Sequence, residues 1–282
     1  MIVDMHTHVF DGMMHLSPHV LSDMERCHVD ISGWQSKPER HVEATAAADR
    51  VVVFGLLAKK TGWNIPNEFV KEHVDRHPER MIFFASIDPL RHGFMRELEK
   101  CHESWGCRGV KLAPVYQGVH PLDKRYREIY RYCERRRLPI IMHMGTTFSS
   151  GVPLEYSRPA HLDSVAVDFP HLKLVIAHMG HPWEGETIAA IRKQPNLFAD
   201  ISALYYRPWQ FYQTMRLLVE YHAEEKVLFG SDYPATTTAD SIAGLRGLNA
   251  VLAGSSGPPP VPAELIERII HQDALRLLEI AP

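Results

Sequence analysis

The clearest indication of the fold lies in residues 172–201, LKLVIAHMGHPWEGETIAAIRKQPNLFADI. Two short apolar runs, 172–177 and 197–201, flank a segment with helical periodicity, 185–193. The two runs are almost continuously apolar instead of alternating, which is typical of strands buried on both faces of a parallel sheet. The stretch therefore predicts a strand, a helix and a second strand parallel to the first.

The same alternation of strand-like and helix-like segments runs along the rest of the chain. Six further apolar runs raise the number of predicted strands to eight, at 2–6, 50–56, 80–87, 107–112, 138–144 and 227–230. Further predicted helices lie between the strands, at 67–76, 94–105, 124–136, 160–169, 209–224 and 241–252.

Eight strand–helix units favour a closed (β/α)8 barrel, or TIM barrel, over an open doubly wound sheet. An open sheet would have about six strands and a G-x-G-x-x-G turn after the first one, and no such turn follows residues 2–6. We therefore predict an α/β fold with one TIM-barrel domain over residues 1–282. A long excursion, 10–40, follows the first strand, and a Gly/Pro-rich linker, 254–262, precedes a last amphipathic helix at 263–280.

Composition argues against several classes of protein. The formal net charge is only −3, so nothing indicates a nucleic-acid or anionic-membrane partner. The longest clean apolar run, 51–58, is far too short to span a bilayer, and no secretion signal is readable at the N-terminus. The four cysteines form no C-x-x-C pair, which is typical of reduced thiols. We expect a soluble, cytoplasmic protein whose partner is a small molecule.

Polar residues that end predicted strands are the candidates for chemistry. The chain has 18 histidines, and most are expected to be ordinary surface or structural residues. His6 and His8 end the first strand, His143 the fifth, His178 the sixth, and Asp232 follows the eighth. Because the active site of such a barrel lies at the C-terminal ends of its strands, these five side chains should converge.

The residue types at these strand ends suit a divalent cation. His6 and His8 lie about 7 Å apart on one side of an extended strand, close enough to bind one ion. A third histidine and a carboxylate complete a nitrogen and oxygen set suited to Zn, Mn or Fe(II), with a position left for water. The His-x-His pair alone is a weak signal in a chain this rich in histidine, so the prediction depends on the conjunction of several strand ends.

These motifs together resemble the amidohydrolase superfamily. The resemblance is to the amidohydrolase-2 branch, which includes aminocarboxymuconate semialdehyde decarboxylase and related metal-dependent hydrolases, and it extends to about residue 235. It is carried by MIVDMHTHVF (1–10), GVKLAP (109–114), PIIMHMG (139–145), LKLVIAHMGHPW (172–183), NLFADIS (196–202) and VLFGSDYP (227–234). Residues 270–274, IHQDA, depart from the Gly-Asn-Ala that relatives tend to have there.

The resemblance implies roles for the strand-end residues. His6, His8, His143 and Asp232 would bind one divalent ion, for which Zn is the first choice and Mn or Fe the alternatives. His178 would lie beside the metal-bound water and act in catalysis with Asp232.

Lys111, at the end of the fourth predicted strand, leaves the number of ions open. In binuclear relatives a strand-four lysine is carbamylated and bridges two cations, whereas in mononuclear relatives it is structural or faces the substrate. We favour one ion, with two as the outcome if Lys111 is carbamylated.

The predicted function is hydrolysis of an amide, ester or lactone in a small carboxylated or carbonyl substrate by metal-activated water. The alternative is a non-oxidative decarboxylase acting on an aromatic or enol-like acid, because the same ligands serve both reactions. A metal-binding barrel without catalysis is a third hypothesis, and it requires a coordination sphere filled by protein.

Substrate contacts are expected on the loops, where an arginine would favour a carboxylate. The candidates are Arg158, Trp183 and Tyr205, followed by Tyr206, Arg207 and Trp34. A homodimer is expected by analogy alone. Tyr126, Tyr130 and Tyr132 of one predicted helix would either form its interface or pack against the barrel.

Overall fold

A parallel eight-stranded sheet confirms the predicted architecture. In a computed structural model of the chain, which describes residues 1–29, 36–254, 257 and 259–280, each strand pairs in parallel with the next. The strands are β1 Val3–His8, β2 Arg50–Phe54, β3 Met81–Ser86, β4 Gly109–Leu112, β5 Ile140–Met142, β6 Leu174–Ile176, β7 Leu197–Asp200 and β8 Val227–Leu228. Every strand overlaps its predicted run.

The sheet closes on itself between β1 and the segment after β8. The amide of Met5 donates to the Phe229 carbonyl at 3.0 Å, and the amide of Asp232 donates to the His6 carbonyl at 2.8 Å. Because these bonds join the first strand to the last, the sheet is a nearly closed barrel and not an open one.

Helices surround the barrel. The α-helices are α1 Gly12–His15, α2 Pro18–Arg26, α3 Pro38–Ala44, α4 Asn67–Asp75, α5 Phe94–Glu99, α6 Pro114–Gln117, α7 Lys124–Arg136, α8 Ala160–Asp168, α9 Glu184–Lys193, α10 Pro208–Tyr221, α11 Thr238–Arg246, α12 Ala263–Ile270 and α13 Ala274–Leu277. Shorter elements are a π-helical turn, Lys100–Ser104, four 3-10 turns, Leu154–Ser157, Ala177–Gly180, Glu224–Lys226 and Leu248–Leu252, and an antiparallel hairpin of Leu57–Ala58 with Trp63–Asn64. No helix in the described part of the chain is long and apolar enough to cross a membrane.

The closing helix is not the single continuous element that the sequence predicts. The helix predicted at 263–280 is divided into α12 and α13, because Asp273 starts a new helix by accepting a hydrogen bond from the Arg276 amide at 3.1 Å. Leu275 and Leu278 then pack with Val3 and Phe198 inside the barrel. The C-terminal segment thus joins the core within the barrel.

Helix α7 shows how the sequence fixes an outer element. The Asp123 side chain accepts a hydrogen bond from the Arg125 amide and caps the first turn, and Arg137 ends the helix in a left-handed conformation. Tyr126 and Tyr130 are fully buried, and Tyr132 is nearly so. These tyrosines pack against the barrel, so they supply no exposed aromatic face for a dimer.

Candidate metal centre

The mouth of the barrel brings together the five residues predicted to carry chemistry. His6 and His8 lie in β1, and His143 directly follows β5. His178 lies in the 3-10 turn after β6, and Asp232 follows β8. All five line or contact one space at the C-terminal ends of the strands.

A register shift in β1 aims its two histidines inward. Asp4 pairs with Val51 and Thr7 with Val53, so an extra residue is accommodated between Asp4 and Thr7. Outside the barrel, the Asp4 carboxylate accepts hydrogen bonds from Thr238 Oγ1 at 2.6 Å and from the Ser231 amide at 2.9 Å.

Beyond the shift, the side chains of β1 alternate between the two faces of the barrel. Thr7 donates to the Val52 carbonyl on the outside, while the rings of His6 and His8 pack against Phe54 inside. The shift thus directs both imidazoles towards the mouth.

The ligand-type atoms lie close together. His6 Nε2 is 3.3 Å and His8 Nε2 is 3.6 Å from Asp232 Oδ1, and His178 Nε2 is 3.2 Å from His143 Nδ1. The most compact set is His6, His178 and Asp232, which offer one ligand atom each within 4.8 Å of one another. His178 therefore lies as close to the ligand set as the residues predicted to form it.

Asp200, at the end of β7, organises this cluster. Its Oδ2 accepts from His6 Nδ1 at 2.9 Å, and its Oδ1 accepts from the His178 amide at 2.9 Å and from Ser202 Oγ at 2.5 Å. Sequence reasoning did not identify Asp200 or Ser202 as site residues. The available signal was a carboxylate inside the apolar run LFADI, where a buried charge needs a partner.

The hydrogen bonds around Asp200 fix the tautomers of two histidines. His6 carries its proton on Nδ1 because that atom faces a carboxylate. Ser202 gives its hydroxyl proton to Asp200, so its oxygen accepts from His178 Nδ1 at 2.7 Å. The Nε2 lone pairs of both imidazoles are thereby directed into the cluster, as in the carboxylate–histidine arrangements that support metal ions.

The donor set fits a divalent cation. His6 Nε2 and Asp232 Oδ1 face each other with lone pairs, which is favourable only with positive charge nearby; Lys111 Nζ supplies it at 2.9 Å from His6 Nε2, and a divalent cation would supply more. Burial lowers the pKa of His6, His8 and His178 well below the usual value, and it lowers that of His143 to about 3. Four neutral imidazoles and a carboxylate are the form in which these groups bind a metal.

Lys111 supplies positive charge to the same space. Its Nζ is 2.9 Å from His6 Nε2 and lies over the Phe54 ring at 4.6 Å. Burial lowers the pKa of Lys111 and raises the pKa of Asp232, while the attraction between the two charges opposes both shifts. The lysine is thus in direct contact with the predicted metal ligands.

Four residues at the same strand ends have strained backbone conformations. His178, Met179, Ala203 and Asp232 all adopt left-handed conformations with φ between 50° and 62°. Such conformations at non-glycine residues are costly and persist where surrounding contacts enforce them, which is common at functional sites. Here they turn the chain sharply after β6, β7 and β8.

Two cavities open onto the cluster. The inner cavity has a largely aromatic wall that includes Phe10, Trp63, Tyr116 and Phe148. The outer cavity adjoins it. Its lining includes Cys27, His28, Thr146, His181, Tyr206 and Arg207. Tyr116, Phe148, His143, His178 and Asp232 line both cavities. The candidate metal centre is therefore accessible to a small molecule.

The predicted substrate contacts have different positions. Arg158 pairs with Glu186 and lies over the Trp183 ring at 5.0 Å. Tyr205 donates to the Gly230 carbonyl at 2.8 Å and packs against Phe211. Among the described residues that line the two cavities, none of Arg158, Trp183 and Tyr205 is found.

Tyr206 and Arg207, by contrast, line the outer cavity, with the guanidinium 4.5 Å from the Tyr206 ring. Burial and the Arg207 charge lower the pKa of His181 to about 4. Trp34 lies outside the described residues.

Comparisons with known proteins agree with this fold. The family model described as amidohydrolase matches residues 3–280, and no curated protein matches the chain. An uncharacterised TIM-barrel protein from Bordetella bronchiseptica is 23% identical, with a TM-score of 0.74, covering 99% of this chain and 98% of its own.

Two further solved structures show the same fold. A probable 2-pyrone-4,6-dicarboxylic acid hydrolase from Acinetobacter baumannii, with citric acid bound, is 15% identical, with a TM-score of 0.68 and 99% of each chain covered. A dihydroxybenzoic acid decarboxylase from Polaromonas, with bound manganese and the inhibitor 2-nitroresorcinol, is 14% identical, with a TM-score of 0.66, covering 99% of this chain and 96% of its own.

Proposed function

The chain belongs to the amidohydrolase family, and we propose that it is a metal-dependent hydrolase that cleaves an amide, ester or lactone in a small carboxylated substrate. The observation that carries the proposal is the convergence of His6, His8 and Asp232 beside two cavities, with His6 Nε2 3.3 Å and His8 Nε2 3.6 Å from Asp232 Oδ1. One cation would be shared by these ligand-type atoms, and the cavities would give a substrate access to it.

His6, His8, His143 and Asp232 would hold one divalent ion, with Zn as the first choice and Mn as an alternative. Manganese is bound in the Polaromonas decarboxylase. A bound cation of this kind lowers the pKa of water from 15.7 to about 7 and polarises a carbonyl oxygen. Two ions would require a carbamylated Lys111, so the metal content per chain and the mass of the Lys111 peptide test the number.

Three residues of the chain would each have a role in the proposed reaction. Asp232 can accept the proton of the attacking water, because its carboxylate faces both cavities. His178, fixed by Ser202, can orient that water or stabilise negative charge developing on the substrate. Arg207 in the outer cavity can pair with a substrate carboxylate.

A carboxy-lyase is the second candidate. The aromatic wall of the inner cavity favours a planar, ring-shaped substrate, and such a ring would suit an aromatic acid that loses carbon dioxide as well as a lactone. The solved structures of the same fold include both a hydrolase and a decarboxylase. A non-catalytic metal barrel is less well supported, since it would need a coordination sphere filled by protein, whereas two cavities open onto this cluster.

One experiment separates these candidates. The protein is loaded with Zn or Mn and incubated with a panel of lactones, esters and amides and a panel of aromatic carboxylates, with acid release and CO2 measured in parallel. Acid release without CO2 supports the hydrolase, and CO2 release supports the carboxy-lyase. The Asp232→Asn variant is the control for contaminating activity, because it should be inactive in either case.

A further inference from the structure

The outer side of β1 carries a series of hydrogen bonds that ends between two proposed metal ligands. Thr7 lies between His6 and His8, with its side chain on the outer face of the barrel. There His41 Nε2, from α3, lies 2.9 Å from Thr7 Oγ1, and His73 Nε2, from α4, lies 3.1 Å from His41 Nδ1. Thr7 and His41 are completely buried. Two outer helices are thus connected to the strand that carries the His-x-His pair.

The direction of each bond in this series follows from Thr7. Its hydroxyl donates to the Val52 carbonyl at 2.8 Å, so its oxygen accepts from His41 Nε2. Burial lowers the pKa of His41 well below its ordinary value, so the ring is neutral and carries its single proton on Nε2. His41 Nδ1 therefore accepts from the Nε2–H of His73. Because both ring nitrogens have partners, the orientation of the His41 imidazole is fixed.

His41 also contacts the segment that carries a third proposed ligand. Its ring lies edge-on to that of Tyr233, with 5.8 Å between centroids, and Tyr233 directly follows Asp232. The backbone of Tyr233 pairs with Thr7 in a parallel bridge, and its carbonyl accepts from the His8 amide at 2.9 Å. From outside the barrel, His41 thus covers the place where β1 joins the segment after β8.

The register shift in β1 explains why outside support matters at this place. The shift lies between Asp4 and Thr7 and interrupts the regular pairing with β2. Before the shift, the Asp4 carboxylate is held by Thr238 Oγ1 at 2.6 Å. Beyond it, Thr7 is held by His41. Side-chain hydrogen bonds therefore hold the strand on both sides of the irregularity.

We propose that His41 is a positioning residue, which acts through Thr7 to hold the end of β1 in the orientation that binds a metal ion. The proposed ligands whose arrangement depends on it are His6, His8 and Asp232. This rests on the proposed function for the identity of the ligands. In the described part of the chain His41 lines neither cavity, so it acts without touching a substrate.

The Zn affinity of two His41 variants tests the proposal. His41→Phe keeps a ring and removes both hydrogen bonds, whereas His41→Gln keeps an N–H donor for Thr7. Competition with a chelating dye gives the Kd for Zn of each folded protein. We expect His41→Phe to raise Kd about fivefold, as for loss of one typical hydrogen bond, and His41→Gln to restore most of the affinity. An unchanged Kd in His41→Phe overturns the proposal, and so does an equal loss in both variants.

Tyr212→Phe is the matched control for loss of a buried hydrogen bond. Tyr212, on α10, is buried and donates to the Pro259 carbonyl at 2.7 Å. Neither residue is adjacent in sequence to a proposed ligand, so the Kd for Zn should stay at the wild-type value. A loss of affinity in Tyr212→Phe as large as that in His41→Phe would reveal general destabilisation and overturn the proposal.

Amide hydrogen exchange in the metal-free protein locates the effect. The amides of His8 and Asp232 donate across the join between β1 and the segment after β8, beyond the register shift, and the Met5 amide donates across it nearer the start of β1. In His41→Phe we expect the His8 and Asp232 amides to exchange about fivefold faster, and the Met5 amide to exchange at the wild-type rate. Equal acceleration at all three amides overturns the proposal, because it indicates loosening of the whole strand.

Thr7→Val covers the case in which His41→Phe fails to fold. Valine has the shape of threonine without the hydroxyl, so this variant removes the hydrogen bond from its other side. The same fivefold loss of Zn affinity is expected, and a folded Thr7→Val protein with the wild-type Kd overturns the proposal. A wild-type protein that binds no Zn would instead overturn the proposed function, and the exchange rates of the metal-free protein would still decide whether His41 positions β1.

Discussion

Replacing Asp200 by Asn should weaken metal binding without removing any residue that would touch the metal. Asp200 Oδ1 accepts from the His178 amide and from the amide and hydroxyl of Ser202, whereas Oδ2 accepts, within the described part of the chain, only from His6 Nδ1. An asparagine would keep its carbonyl oxygen where three donors meet. Its NH2 group would then face His6 and need an acceptor there.

The consequence is a change of tautomer at His6. With Nδ1 serving as an acceptor, the ring proton moves to Nε2, the atom that lies 3.3 Å from Asp232 Oδ1. A metal ion must displace that proton before it can bind. Loss of such an orienting carboxylate typically costs 10- to 100-fold in metal affinity, or about 1.4 to 2.7 kcal/mol.

The assay is competition for Zn with a chelating dye, together with thermal unfolding of the metal-free protein to verify folding. Asp168→Asn is the matched control, because Asp168 is an exposed carboxylate paired with Arg127 at 2.6 Å on the outer surface. A folded Asp200→Asn protein that binds Zn within twofold of the wild-type affinity would refute the tautomer argument.

Three further predictions concern other residues. His178→Asn should lower kcat by about 100-fold or more while metal content stays near the wild-type value, and full activity would remove His178 from the mechanism. Arg207→Lys should raise KM about 10-fold for a carboxylated substrate and leave KM for its methyl ester unchanged, as steady-state kinetics would reveal. Burial lowers the pKa of His73 from 6.5 to about 4 in the folded protein. Between pH 6.5 and pH 4 the unfolded chain therefore binds more protons than the folded protein, and the free energy of unfolding falls as the pH is lowered through this range. In urea unfolding of the metal-free protein, His73→Gln should reduce the change of unfolding free energy with pH by at most about 1.4 kcal/mol per pH unit. An unchanged pH dependence would show that His73 does not have a lowered pKa in the folded protein.

The barrel and the identity of the strand-end residues were predictable from the sequence, because both depend on local patterns. A continuously apolar run such as IIMHM predicts a buried strand, and His143 lies at the end of that strand. Asp200 was missed because its role depends on which strands are neighbours: β7 lies between β6 and β8, which puts its carboxylate beside the His178 amide.

The substrate contacts were less predictable for a related reason. Arg158 and Arg207 both occur in loops, and only the three-dimensional structure reveals that Arg158 is paired with Glu186 while Arg207 lines the outer cavity. Loop sequences carry no periodicity from which such a difference could be read.

The two aspartates of the site, Asp200 and Asp232, have different roles because their surroundings differ. Asp200 is completely buried and has hydrogen-bond donors on both oxygens, so it acts by orienting histidines. Asp232 lines both cavities and faces imidazole nitrogens without protons, so it is available to a cation and to a substrate.

The proposed metal ligands come from the strands and their immediate ends, whereas the cavity walls come from the hairpin that carries Trp63 and from the loops that carry Phe148 and Arg207. We expect a change in those walls to alter which substrate binds while leaving the proposed ligands in place. The substrate, and with it the choice between the two reactions, must therefore be sought in the walls.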